Sequence, residues 1–293
     1  MRGKLLFSLL IVFMLALTAC VKPFEPVPAS AESVESTEST AYVSEPVSDE
    51  VVVIADPVLE QLVRDKIGKS EGDILASDMA NLYSLNINNQ ETPVAKLDGM
   101  EYAVNLSDFS YRYGELESLS PIANCRELSY LNVSYSTVAQ SPVDFNTPVL
   151  ERVGFTDTAI PDFSFLQNVT SMTNVTFSQC EITSIAFLEN SAGLEEVNLS
   201  DNSIADLNPL SGKIELTSLR FDKNEVTDLD PLSSCIKLNY INISYNHVTN
   251  LAPIMQLADL QEVRAYEELD QRIIDRAQIQ ALIDRGITVD YHA

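Results

Sequence analysis

The sequence predicts an α/β solenoid, a stack of equal coils whose short strands line up as one parallel sheet. Three observations predict it: an apolar pattern recurs every 22 residues over residues 106–263; each recurrence sets apolar residues two apart, the period of a strand; and a turn-forming residue follows three positions later. Leu128, Leu131, Val133, Ser136 and Val138 are answered by Leu150/Val153/Phe155/Thr158/Ile160 and by Met172/Val175/Phe177/Cys180/Ile182. Leu194/Val197/Leu199/Asn202/Ile204, Leu216/Leu219/Phe221/Asn224/Val226 and Leu238/Ile241/Ile243/Asn246/Val248 continue the series without a slip. Backwards the register gives Leu106/Phe109/Tyr111, then Leu82/Leu85/Ile87 with two extra residues between Gln90 and Val94; forwards it gives Leu260/Val263. The repeats thus occupy residues 82–266 with about nine strands.

Each position has a physical reading. The paired apolar residues share one face of a strand and point into the stack. The residue three further on turns the chain, and asparagine suits it because its amide bonds successive backbone groups, so stacked coils carry a ladder. Asn202, Asn224 and Asn246 fill that ladder, with Cys180 as the other permitted residue; Ser136 and Thr158 are weaker, and Gly114 has no side chain, so the early coils should be less regular. Pro121-Ile122, Pro209-Leu210, Pro231-Leu232 and Pro253-Ile254 recur in the second half of the unit, where proline suits a tight turn. Twenty-two residues leave no room for a full helix beside the strand, so the convex side should carry short 3₁₀ turns. The pattern resembles the leucine-rich repeat, whose units stack into an arc with a parallel concave sheet.

Both ends of such a stack need covering. Leu59, Leu62, Val63 and Ile67 fall at helical spacing, which predicts a cap helix over residues 57–67 within an N-terminal cap of residues 55–81. At the other end, residues 277–284 read as a helix closed by Gly286 and followed by an alternating strand over residues 287–291, a helix-strand cap within residues 267–293. The run Asp56-Pro57-Val58-Leu59-Glu60-Gln61-Leu62-Val63-Arg64, the run from Ile74 to Leu82, and Leu97-Asp98-Gly99-Met100-Glu101-Tyr102 resemble the amino-terminal cap and first coils of internalin-like bacterial leucine-rich-repeat proteins. The resemblance covers roughly residues 55–293. It implies the fold and a surface binding role, and it raises attachment to a host cell by analogy, but it names no ligand.

Residues 1–19 differ in kind. Arg2 and Lys4 precede an apolar run over residues 5–17 that ends Leu17-Thr18-Ala19-Cys20, which resembles a bacterial lipoprotein signal peptide. That resemblance implies cleavage before Cys20, diacylglyceryl transfer to its thiol, and a chain held by lipid on the extracytoplasmic face of the cell membrane. An uncleaved anchor or an ordinary secretory signal would also export it. Residues 21–54 carry seven acidic residues against one lysine and are rich in Ser, Thr, Pro and Val, a composition that predicts an extended, solvated tether running from Cys20 to residue 54.

Composition excludes several classes of function. Residues 55–293 hold 36 acidic against 15 basic residues within a formal charge of −25, which argues against nucleic acid and against lying flat on anionic lipid. Cys125, Cys180 and Cys235 show no metal-ligand spacing; Cys125 and Cys235 stand five coils apart, beyond disulfide reach, and all three read as small buried hydrophobes. His247 and His292 have no fixed acid or nucleophile nearby in the pattern and read as solvated imidazoles. No Gly-rich phosphate loop, Gly-x-Ser-x-Gly elbow or His-Glu-x-x-His pair occurs, so neither an enzyme nor a cofactor or metal site is expected.

What remains is the concave face. Its outward positions set Arg112, Tyr113, Tyr130, Tyr135 and Arg152 in the early coils, Asn174, Thr176, Glu196 and Asn198 in the middle, and Arg220, Tyr240, Tyr245, Arg264 and Tyr266 late. Two patches of tyrosine with arginine flank a polar, partly acidic centre. Tyrosine and arginine give large contact energy per side chain, which points to recognition of a protein. Two rivals stay open: aromatic residues beside Asn and Asp also suit a glycan, and tyrosine also simply suits an exposed strand, as in an envelope component without a dedicated ligand.

Overall fold

The computed structural model describes residues 49–90, 93–266 and 274–291. The expected signal peptide, Cys20, the tether up to residue 48 and His292 lie outside the described residues. Nine strands carry the repeat in one parallel sheet: β1 (Ser84–Asn88), β2 (Asp108–Arg112), β4 (Tyr130–Gln140), β5 (Arg152–Ala159), β6 (Asn174–Ser178), β7 (Glu196–Asn198), β8 (Ser218–Arg220), β9 (Tyr240–Asn242) and β10 (Glu262–Arg264). The C-terminal strand β11 (Thr288–Asp290) pairs with β10, and an extra strand β3 (Glu115–Ser118) pairs with β4. Partner residues are 22 apart throughout the regular coils, as in Leu131 beside Val153 beside Val175. The core pair of every coil is buried, and Phe155, Phe163, Phe165, Phe177 and Phe187 interlock beneath the middle coils with ring centroids 4.9 to 6.3 Å apart.

The turn ladder explains why strand length changes along the stack. The Asn202 amide donates to the carbonyls of Phe177, Leu199 and Ser200, and its oxygen accepts from the backbone N–H groups of Cys180 and Ile182. Asn224 and Asn246 repeat the arrangement, each donating to the carbonyl 25 residues back, Leu199 and Phe221. With asparagine holding the backbone groups past the corner, the late strands shrink to three residues. Cys180 and Thr158 donate to the same carbonyl, Phe155 and Val133, but a thiol or hydroxyl has one proton to give. Around Ser136 and Thr158 the backbone therefore pairs directly across coils, Ser136 with Thr158 and Thr137 with Ala159, and β4 runs for 11 residues. The early coils are irregular in the sense of having more sheet.

At Gly114 the missing side chain is replaced from another position. A Cβ there would stand 2.4 Å from both the Asn89 amide and the Tyr111 hydroxyl. Fully buried Tyr111 fills the space and donates to the Val94 carbonyl at 2.7 Å; burial pushes its phenol up to about 12.

Short 3₁₀ turns line the convex side at Met100–Tyr102, Ser120–Ile122, Ser164–Leu166, Ala186–Leu188, Asn208–Leu210 and Asp230–Ser234. Five of them open on a side chain that accepts the N–H two residues on: Ser118, Asp162, Ser184, Asp206 and Asp228. These five share one repeat position. Gln140 occupies it in the β4 coil, where the longer side chain cannot close that ring and no 3₁₀ turn forms before β5.

The caps follow the sequence closely. Helix α1 (Pro57–Ile67) starts on Asp56, whose carboxylate accepts from the N–H groups of Val58 and Leu59, and ends at Gly68 with φ +72°. A single helical turn, α2 (Ala76–Met79), follows. Helix α3 (Arg276–Asp284) starts on Asp275, and Gly286 at φ +85° returns the chain into β11. One boundary moves. Val52 and Ile54, assigned to the tether by composition, are 5% and 7% exposed, and Val51 bridges Leu75, so the ordered cap already includes residues 50–54.

Candidate binding surface

The sheet exposes two rows per coil on its open face, and the structure sorts the ten candidate residues into three settings. On the strands, the Arg152 guanidinium lies over the Tyr130 ring at 5.1 Å, while Arg220 and Arg264 lie over the Tyr240 ring at 5.3 and 5.5 Å. Between these pairs is a hollow of about 410 Å³ lined by Asn132, Gly154, Asn174, Thr176, Glu196 and Asn198 among others. The strand members of the two patches, Tyr130 with Arg152 and Tyr240 with Arg220 and Arg264, are thus brought to one face with the polar centre. Gly154, which the sequence reading passed over, makes the floor: the Asn132 amide lies over it, 2.5 Å from where a Cβ would stand.

Charge is distributed unevenly among the arginines. Arg264 is held by Glu262 at 2.9 Å, with Asp290 at 3.7 Å, and both carboxylates raise its pKa further, the Glu262 hydrogen bond most. Among the described residues Arg152 and Arg220 have no carboxylate ion-pair partner, and Glu196 between them has no cationic one. Toward the late coils, Asp222 accepts from Ser200 and Asn242 at 2.7 and 2.8 Å, a network that fixes the polar side chains there.

Tyr113 and Tyr245 lie just past their strands, and Tyr135 lies within β4 at a point where its pairing with β5 is interrupted. Each immediately precedes the ladder residue, at the corner, with φ of +59°, +53° and +56°. The same corner is left-handed in every coil from Tyr113 through Asp157, Gln179, Asp201 and Lys223 to Tyr245. Glycine, asparagine and aspartate are the low-cost residues for that conformation, so strand preference does not account for these three tyrosines. Arg112 sits one residue earlier, in register with Ser134, and half-buried Tyr266 closes the column by accepting from the Tyr245 N–H at 2.7 Å.

The cysteines are buried as expected, and burial pushes all three thiols up to about 11. Among the described residues no group of three or more His, Cys, Asp or Glu side chains could hold a metal ion. The reading of His247 needs correction: its Nε2 lies 2.9 Å from Glu225, an acid the linear pattern hid because it stands 22 residues back and one coil away. Both side chains are exposed. Sequence reasoning also missed Lys213, 4% exposed beneath the convex side, whose Nζ donates to the Glu189 carbonyl at 2.6 Å and whose pKa burial lowers.

No protein-family model and no curated protein matches the chain. Among solved structures it is similar to internalin C2 of Listeria monocytogenes, with 22% identity, a TM-score of 0.60, and 81% of this chain and 93% of that one covered. An internalin F of the same organism gives 19% identity and a TM-score of 0.52 over 81% of this chain and 91% of that one. A leucine-rich-repeat protein of Leptospira interrogans gives 18% identity and a TM-score of 0.63 over 74% of this chain, which spans 55% of that longer protein. The chain has the leucine-rich-repeat fold of the internalins, an open parallel sheet backed by short 3₁₀ turns.

Proposed function

We propose that this chain is a lipid-anchored, extracytoplasmic binding protein that docks a protein partner in the hollow of its sheet. The observation that carries the reading is the pair of tyrosine–arginine contacts at either rim of that hollow, with Arg152 and Arg220 free of carboxylate partners among the described residues. A stacked guanidinium gives up less freedom when a partner's carboxylate or carbonyl reaches it, because its plane is already oriented. The fold supports the same reading, since outward residues of a leucine-rich-repeat sheet are unconstrained by the core.

The test compares the full chain with a variant carrying Tyr130→Ser, Tyr135→Ser, Tyr240→Ser and Tyr245→Ser, both used to capture partners from envelope and host extracts. Retained circular dichroism with capture reduced at least about tenfold is expected, since loss of central aromatic contacts costs about 1–2 kcal/mol each. Equal capture refutes the choice of surface, and capture that survives protease but not glycosidase treatment of the extract assigns the ligand to glycan. For the anchor, Cys20→Ser should abolish fatty-acid labelling and release the chain from membranes; unchanged membrane retention refutes lipidation at Cys20.

A further inference from the structure

The corner column of left-handed residues reads, coil by coil, Tyr113, Tyr135, Asp157, Gln179, Asp201, Lys223 and Tyr245. At its late end it is self-contained. Lys223 stands between Asp201 and Tyr245 and reaches the Asp201 carboxylate at 2.7 Å, an alkylammonium placed between an acid and a phenol. At the early end the same chemistry stands open. Tyr113 and Tyr135 stack with centroids 5.1 Å apart and planes 7° from parallel, and they are 42% and 48% exposed. With Glu115 and Asp157 they border a shallow depression floored by Ser136, Thr137 and Ala159. No lysine or arginine lines it; Arg112, the sequence neighbour of Tyr113, belongs to the row in register with Ser134. Neither Glu115 nor Asp157 has an ion-pair partner among the described residues.

We propose that this depression receives a lysine side chain of the partner protein, its ammonium between Asp157 and Glu115 and its methylenes against the Tyr135 ring. The inference rests on the reading of the chain as a protein-binding module and adds the chemistry of one contact. Three features of the site agree on a cation. Ring faces carry negative quadrupole charge that attracts ammonium groups. The two carboxylates add formal charge of the same sign, unneutralised locally. The stack holds both rings in place before binding, at a backbone conformation that bulky side chains occupy at a cost, so little further ordering is needed when the cation arrives. The late column supplies a precedent for the pairing, because there Lys223 of the next coil sets its ammonium 2.7 Å from a corner acid, Asp201.

The experiment uses the full chain with isotope-labelled tyrosine rings and two probes, Nα-acetyl-lysine N-methylamide and its norleucine analogue, which has the same stem without the charge. The lysine probe should shift the Tyr113 and Tyr135 ring signals and the norleucine probe should not. Asp157→Asn should reduce the response at fixed probe concentration by about two- to fivefold, as expected for one exposed cation contact. Lys223→Ser, which empties the late site, should give Tyr245 a response that it lacks in the native chain. Equal shifts from both probes, an unchanged response in Asp157→Asn, or a Tyr245 signal that stays silent in Lys223→Ser would each overturn the proposal. The measurement uses no partner, so its failure leaves capture by the concave row standing, and failure of capture leaves this result standing.

Discussion

Replacing Asn224 by alanine isolates the ladder from everything else in the coil. Asn224 is 5% exposed; its amide donates to Leu199 and Phe221 at 2.9 and 3.0 Å, and its oxygen accepts from the Ile204 N–H at 2.8 Å. Alanine leaves the buried Ile204 N–H without a partner and removes one of two donors from each of the Leu199 and Phe221 carbonyls, which Asn202 and Asn246 still hold at 2.8 Å. At about 2 kcal/mol for the unpaired N–H and about 0.5 kcal/mol for each donor lost from a carbonyl, the loss is about 3 kcal/mol. Asn224→Thr should lose less, about 2 kcal/mol, because Thr158 already shows a threonine hydroxyl holding the carbonyl 25 residues back at 3.0 Å. Urea unfolding of the full chain followed by circular dichroism measures both variants, with an unchanged slope required for the comparison. An alanine variant within 1 kcal/mol of the parent, or a threonine variant no better than alanine, would refute the view that the ladder holds the coils in register.

Further outcomes follow from the same contacts. Gly114→Ala drives a Cβ to 2.4 Å from the buried Tyr111 hydroxyl and should cost about 1–3 kcal/mol, whereas Gly154→Ala meets only the tip of the Asn132 side chain and should cost under about 1 kcal/mol; thermal melts of the two compare them, and equal shifts would contradict the packing described. The Asp78 carboxyl is held below its ordinary range, first by the Lys69 hydrogen bond and then by the Leu75 N–H, so its stabilisation is present above the ordinary carboxylate range and lost as pH falls through the folded value. Asp78→Asn should therefore flatten the acid limb of a stability–pH curve, and an unaltered limb would count against this. Burial lowers the Lys213 pKa, so between its folded and unfolded values the unfolded chain binds more protons and stability rises with pH; Lys213→Met should remove that alkaline rise.

Much of the fold was legible because a solenoid writes its register directly into the spacing. A fixed period of 22 residues placed nine coil strands, and apolar spacing with Asp56, Gly68 and Gly286 placed the capping helices. The tether boundary was less legible because acidic composition outweighed the run Val51-Val52-Val53-Ile54, whose alternate members turn inward in the structure. Side-chain pairing between coils was hidden for a different reason. Residues 22 apart in the chain are neighbours in space, so Glu225 with His247 and Asp201 with Lys223 are adjacent pairs that no local window contains. The left-handed corner was hidden too, since tyrosine at three of its positions gave no glycine or asparagine signal there, and Gly154 was silent until the Asn132 side chain was seen lying over it.

Recognition on the open face of the sheet can be read without knowing the partner. A photo-reactive phenylalanine analogue placed at Tyr130 or Tyr240 of the full chain, in the native envelope, reports on the hollow, and the same analogue at Ile236, 57% exposed and outside that face, reports on the rest of the surface. A discrete crosslinked protein is expected from positions 130 and 240 and none from 236. Crosslinking from position 236 alone would contradict it.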